Sequence, residues 1–414
     1  LREQILENLN QPELLERLYR SNPTNFKKEF DSLYPTLKDR QPAQFWHERL
    51  HYEGMSVSWG NSKELAIVML MCLFAACITK LPTLFHWDQE LFLMRNIGFI
   101  VFPVLSIFYF WKQSVGMTKM IGIMVIYLIA LVYINVLEPN LKHDTPILAY
   151  IHLPLFLWTI FGISFVGDHY NIYSKRIEFL RFNGDLIILS ILIFLAGVAL
   201  TIATLGLFSL IKFDISKFYV DYIVRLGLAS LPIVSTYIIY TNPQLVHKVS
   251  PLIARLFSPL VLITLVCYLI AIAYTQKDPY NDREFLLIFN GLLIGVMAII
   301  VFSIAETARN TQNQWGIIVI FLLSVVTILV NGIALSAILY RISEWGITPN
   351  RMAVLGGNIL ILIHIVIIAF QLFRMIKYKK SMGIVEQSIA KFLPVYIIWT
   401  FIVTFLFPVL FGFK

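Results

Sequence analysis

Asn331, His364 and Gln371 stand inside long apolar runs, where an amide or an imidazole is expensive and needs a reason. Ser324, Thr327 and Asn331 follow i, i+3, i+7, and Gly357, His364 and Gln371 recur every seven residues. Each set therefore falls on one face of a helix. Two chemistries suit such stripes. Amides and hydroxyls can bond between helices for about 0.6 to 2 kcal/mol each, with small residues allowing close approach. Alternatively the stripes line a polar cavity or pathway in which His364 can change charge near neutral pH. Asn290 precedes a G-x-x-x-G formed by Gly291 and Gly295, with Ala298 extending the small face. That pattern points to tight packing within a bundle, with an oligomer interface as the lesser reading. Ser190, Gly197, Thr201 and Thr204 repeat the theme further upstream.

The elements that must carry these groups are two apolar segments, Ile317–Tyr340 and Met352–Phe373, joined through the short turn Glu344 to Asn350. Each can cross a bilayer, since roughly 20 residues at 1.5 Å rise span its ~30 Å core. Thr348 can cap the second helix and Pro349 can take its first position, where a missing N–H is harmless. The two helices then run antiparallel, with Asn331 and His364 near one depth.

The remainder of the chain is of the same kind. With 58% hydrophobic and 14% charged residues and a mean hydropathy of +0.74, the chain is excluded from the ordinary soluble domains. About eleven spans are expected. Besides the two above they are Leu65–Phe85, Asn96–Trp111, Met120–Leu137, Ile147–Gly167, Leu186–Leu210, Tyr222–Tyr240, Leu252–Tyr274, Leu286–Ala305 and Phe392–Phe413. The second is short and Pro103 is expected to bend it. The net charge of +8 lies in the loops, which makes it an orientation signal and not a nucleic-acid surface. Lys and Arg favour the N-terminal face about two to one, which places the N-terminus in the cytoplasm and the C-terminus outside. The stretch Asp168 to Asp185 and the basic loop Lys377 to Lys391 are expected to lie along the membrane surface.

Residues 1–60 are the one sizeable water-soluble part. Asn10-Gln11-Pro12 and Asn22-Pro23 predict helix starts, and a third helix should carry Phe45, Trp46, Leu50 and Tyr52. The apolar stripes Leu14, Leu15, Leu18, Tyr19 and Phe26, Phe30, Leu33 are expected to rest on the membrane, on the spans or on a protein partner, because sixty residues make a thin core.

Chemistry-bearing motifs are otherwise missing. H-E-x-x-H, G-x-S-x-G and the phosphate-binding glycine loops do not occur, and Cys72, Cys77 and Cys267 lie singly in apolar runs. The pairs His143-Asp144 and Asp168-His169 fall on opposite faces and supply too few ligands for a metal, and the acidic turn Asp278 to Glu284 lacks calcium-loop spacing. No enzyme activity, cofactor or metal is expected. Lys80, Arg95 and Arg255 are expected to snorkel to the interface, and Asp221–Arg225 and Glu306–Arg309 to pair along their helices.

The segments Arg341-Ile342-Ser343-Glu344-Trp345-Gly346-Ile347-Thr348-Pro349-Asn350-Arg351, Glu13 to Arg20, Phe45 to Leu50 and Asn96 to Pro103 resemble an uncharacterised bacterial membrane-protein family, domain of unknown function 4153. The resemblance implies a bacterial inner-membrane location and assigns no functional residue. Two readings follow: a small-solute transporter or channel-like protein, or a non-catalytic membrane subunit or scaffold that docks a partner through its N-terminal helices.

Overall fold

The structure is a computed structural model describing residues 1–51, 60–113, 115–138, 142–210, 212–275, 280, 283–307, 314–379 and 381–413. It is all-α, with no strand among the described residues. The chain forms two compact units, Leu1–Ser58 and Trp59–Lys414.

The described residues of the first unit form four helices: α1 (Arg2–Glu7), α2 (Pro12–Ser21), α3 (Pro23–Leu37) and α4 (Gln41–His51). Pro12 and Pro23 open α2 and α3 as expected, and the Asn22 side chain accepts the Asn25 N–H at 3.1 Å. The apolar stripes turn out to pack on one another. Ile5, Leu9, Leu15, Phe26, Phe30, Leu33, Leu37, Trp46 and Leu50 form one buried cluster. Sequence reasoning missed this because the charge density disguised a core made of few, large side chains. Trp46 lies 5.3 Å from Phe26 and 5.8 Å from Tyr19 between ring centroids, and such aromatic contacts carry much burial per residue. Glu16 ties the unit's surface, accepting a hydrogen bond from Arg20 at 2.8 Å and forming an ion pair with Arg49 at 2.7 Å. The Arg20 hydrogen bond, aided by the Arg49 charge, holds its carboxyl below the usual carboxylate range. Phe45 stays exposed, and Tyr52 lies outside the described residues.

Among its described residues the second unit has eleven segments long and apolar enough to cross a membrane, which makes this an integral membrane protein. They are α5 (Ser62–Phe85), α6 (Gln89–Gln113), α7 (Met117–Val136), α8 (Asp144–Val166), α9 (Tyr173–Leu210), the run of α10 (Ser216–Phe218), a π-helical stretch Tyr219–Val224 and α11 (Arg225–Thr241), then α12 (Pro243–Thr275), α13 (Arg283–Thr307), α14 (Gln314–Trp345), α15 (Pro349–Tyr378), and α16 (Gly383–Phe401), which continues through the π-helical turn Ile402–Leu406 into α17 (Phe407–Leu410).

The helices outrun the apolar segments because charged end residues remain helical. Thus α6 continues through Pro103 for 25 residues. The stretch before Asp185 is the opening of the 38-residue α9, with Ile177, Phe179 and Phe182 buried, and is not a surface helix. Likewise the basic loop shrinks to the few residues between Tyr378 and Gly383.

Of the buried apolar clusters among the described residues of the bundle, two are the largest. One joins α5, α6, α8 and α11 around Phe108, Phe161 and Tyr237; the other joins α12 to α16 around Phe289, Ile300, Leu323 and Ile368. The first turns of α9 bridge them: Gly184 lies so close to Phe302 of α13 that a Cβ there would overlap the ring. Beyond Asp185 no residue of α9 is buried, so Gly197, Thr201 and Thr204 face no tight neighbour, and the two threonine hydroxyls bond to carbonyls of their own helix.

Candidate functional site

The α14–α15 hairpin presents the polar groups, and its turn is built as the sequence dictates. Gly346 takes the left-handed conformation at φ 78°, which favours glycine, and ends α14. Thr348 accepts the Arg351 N–H at 3.3 Å, with Pro349 at the first helical position. Arg351 then reaches back to the Trp345 and Gly346 carbonyls at 2.7 and 2.6 Å, capping the helix it has just left. Trp345 lies against both Arg341 and Arg351.

Down the hairpin, the expected residues divide into three settings. Ser324 and Thr327 are fully buried and donate to the carbonyls of Ile320 and Leu323, so their hydroxyls are satisfied within α14. Asn331 is fully buried and donates to the Asn358 carbonyl at 3.2 Å, while the Asn358 amide donates to Asn290 Oδ1 at 2.8 Å. Three asparagines thus link α14, α15 and α13. His364 stands apart from them. It meets α16, with Nδ1 2.9 Å from the Tyr396 hydroxyl and its ring stacked on Phe392 at 4.3 Å. Asn331 and His364, expected at one depth, therefore serve different interfaces, because Asn358, six residues before His364 and ~9 Å along the axis, is what Asn331 meets.

The atoms left over are the informative ones. Asn331 Oδ1, His364 Nε2 and Gln371 Oε1 are buried and have no hydrogen-bond partner. Stranding such an atom away from water costs about 1–3 kcal/mol, and native proteins leave few without a reason.

The glycines expected to pack tightly do not. A Cβ at Gly291, Gly295 or Gly357 would meet nothing within 4 Å. The reason is rotational: α13 buries Leu286, Phe289, Leu293, Val296 and Ile300, which turns Gly291 and Gly295 outward. Close approach happens elsewhere, at Gly356 under the Trp399 indole and at Gly98, where a Cβ would come within 2.8 Å of Leu157.

A second polar cluster escaped sequence reasoning. Arg95, expected to snorkel, instead donates to the Leu137 carbonyl at 2.6 Å and the Asn135 carbonyl at 3.3 Å, closing the end of α7, and to the Tyr150 hydroxyl of α8 at 3.2 Å. Beside it Asn96 and Asn135 exchange amide hydrogen bonds at 3.1 and 2.9 Å. The signal available was Asn96 and Asn135 within apolar runs, each at one end of its span. Elsewhere the Asp221–Arg225 pair forms at 3.0 Å, and Lys80 lies over the Tyr222 ring at 3.9 Å. His143 Nδ1 lies 2.9 Å from the Phe413 carbonyl, and Asp168 is 3.4 Å from Lys119. Among the described residues no group of three or more acidic, His or Cys side chains is placed to hold a metal. Arg309 and most of the turn Asp278 to Glu284 lie outside the described residues.

Fold and site together define a multi-pass α-helical membrane protein with an incompletely satisfied polar layer in its bundle. Comparison with family models, curated proteins and solved structures yields no match.

Proposed function

We propose that the protein is a small-solute transporter or channel-like protein of a bacterial inner membrane, with its N-terminus in the cytoplasm. The observation that carries this reading is the set of three buried, unpartnered polar atoms on Asn331, His364 and Gln371. A layer built only to hold helices together closes its hydrogen bonds, whereas one that receives water or a polar solute keeps some open. The Lys and Arg bias supports the orientation, and the resemblance of the Arg341–Arg351 turn supports the compartment. The test is a liposome-swelling assay with glycerol, urea and neutral amino acids at several pH values. Wild-type vesicles should swell faster than protein-free ones in at least one solute, and His364→Leu should remove the pH dependence. Swelling equal to that of protein-free vesicles in every solute would overturn the reading.

A second reading, docking of a protein partner by the N-terminal unit, is favoured by Phe45, which stands 64% exposed while the other large aromatics among that unit's described residues are buried or partly so. Deleting residues 1–58 should then strip that partner in a detergent pull-down, and retention would count against it.

A further inference from the structure

We infer that the protein conducts protons along a file of polar side chains on α15, α16 and the π-helical turn that follows α16. The inference rests on the reading that the buried polar layer serves a path across the membrane, and it names what travels there.

The file starts at the Gly383 end of α16, where Glu386 accepts from Arg181 at 2.5 Å. Next comes Gln371 on α15, whose Oε1 is buried without a partner. His364 lies one heptad back on the same helix. Seven residues are ~10.5 Å of rise and only ~20° of rotation, so the two side chains share a face across a gap that a short chain of waters can fill. The imidazole keeps Nε2 buried and likewise unpartnered, and holds Nδ1 2.9 Å from the Tyr396 hydroxyl. Tyr396, Thr400 and Thr404 then follow at four-residue intervals along α16 and its continuation, with Thr400 and Thr404 both buried.

Thr404 supplies the independent observation. Its Oγ1 is a fourth buried atom without a partner, and it sits inside the π-helical turn Ile402–Leu406. Such turns widen a helix locally and recur at functional sites. The Thr404 carbonyl accepts the Tyr133 hydroxyl of α7 at 3.2 Å. Tyr133 in turn lines a cavity of about 540 Å³ together with Glu138, His143 and Phe413. From Glu386 to Thr404 the helix rises ~27 Å, close to the ~30 Å of a bilayer core. The unpartnered atoms of Gln371, His364 and Thr404 thus follow one another along a line between two ionisable ends.

A proton suits this line better than a larger solute. Phe392 covers one face of the imidazole at 4.3 Å and Tyr396 occupies one edge, leaving one unpartnered nitrogen, enough for a proton and little else. Water delivers a proton to Nε2 and makes the ring a cation. The ring releases its Nδ1 proton to the Tyr396 oxygen while the tyrosine passes its own hydroxyl proton to water beside Thr400, whose hydroxyl donates to the Ile397 carbonyl at 3.0 Å, and Thr404; each hydroxyl that accepts a proton gives up another to the next water, the last proton leaving to bulk water. The ring ends neutral, one proton has advanced, and no electron has moved; rotation of the ring resets the tautomer. Tyr396 is the ionisable group in contact with the ring. On the other elements packed against α15, the described polar groups include the neutral Ser324, Thr327 and Asn331 of α14 and Asn290 of α13, with Glu306 buried in the last turn of α13 and half-buried His152 on α8 as titratable ones. Arg181 with Glu386 closes one end, and Tyr133, Glu138 and His143 the other.

The test uses the full chain in liposomes holding a pH-sensitive dye, with proton entry driven by a valinomycin–potassium potential. Wild-type vesicles should acidify faster than protein-free vesicles, and His364→Leu should return them to the protein-free rate. Tyr396→Phe and Thr404→Val each delete one relay oxygen and should slow entry roughly tenfold, the effect of losing one hydrogen bond of ordinary strength. The lipid-facing Phe370→Leu should leave the rate unchanged. Because Tyr396→Phe and Thr404→Val barely alter volume, they decide the matter even where His364→Leu fails to fold. A wild-type rate equal to the protein-free rate overturns proton conduction, and wild-type rates in all three relay variants overturn this path. Solute swelling is read by light scattering and not by the dye, so failure of the proton path is distinguishable from failure of the transport reading.

Discussion

Two polar clusters inside the same bundle are built on opposite principles. Around Arg95, every side-chain group is engaged: guanidinium to two carbonyls and a tyrosine, Asn96 and Asn135 to each other. Along α14, α15 and α16, by contrast, Asn331, His364 and Gln371 each keep one atom without a partner. Both sets sit among apolar residues and look alike in the sequence. Their difference teaches that burial of a polar residue says little, whereas the state of its last hydrogen bond separates a clamp from a site.

The sharpest way to break the comparison is to remove a clamp. Arg95→Leu frees the α7 carbonyls and should lower stability by about 1.5–3 kcal/mol, the range for hydrogen bonds from a charged group, read as a fall in thermal midpoint in detergent. An unchanged midpoint would mean that the closed cluster is not structural. On the open side, close packing as well as the His364–Tyr396 hydrogen bond holds α15 to α16. Gly356→Val forces a side chain into Trp399 and should cost about 1–3 kcal/mol, while Gly291→Val, where nothing lies within 4 Å, should change stability little. Equal effects of the two would undo the assignment of close approach to α15–α16.

Next in size is the hairpin that sets the register of the open layer. Thr348→Ala removes the cap of α15 and should cost about 1 kcal/mol, with Thr348→Ser restoring it. Smallest is a control outside the bundle. The folded-state pKa of Glu16 is depressed by Arg20 and Arg49, so its contribution is present above the unfolded carboxylate range and disappears as pH falls through the folded value. Glu16→Gln should therefore flatten the acid limb of the N-terminal unit's unfolding, a difference that vanishes at low pH.

The sequence made the membrane class and the hairpin turn legible, because hydropathy over a ~20-residue window and the residues Gly346, Thr348 and Pro349 act locally. Every expected span has a helix at its place. What sequence could not supply was rotation and partner choice. Gly291 and Gly295 read as a packing motif, yet the apolar face of α13 turns them outward. Arg95 read as an interfacial anchor, because its acceptors are backbone carbonyls some forty residues away that no side-chain pattern announces. His364 was visible, but Tyr396 and Thr404 were not. Their significance depends on α16 lying beside α15 and on a π-helical turn that hydropathy does not encode. The N-terminal core was missed for a related reason: few residues form it, and Trp46 and Phe26 matter through each other.

The most direct test of the central claim, that the open layer receives water or a polar solute, is a high-resolution density map of the protein in lipid nanodiscs, inspected beside Asn331 Oδ1 and His364 Nε2. Ordered water or solute density within hydrogen-bond distance of both atoms is the predicted result. Dry, interlocked side chains against both atoms would contradict it and make this layer a second clamp.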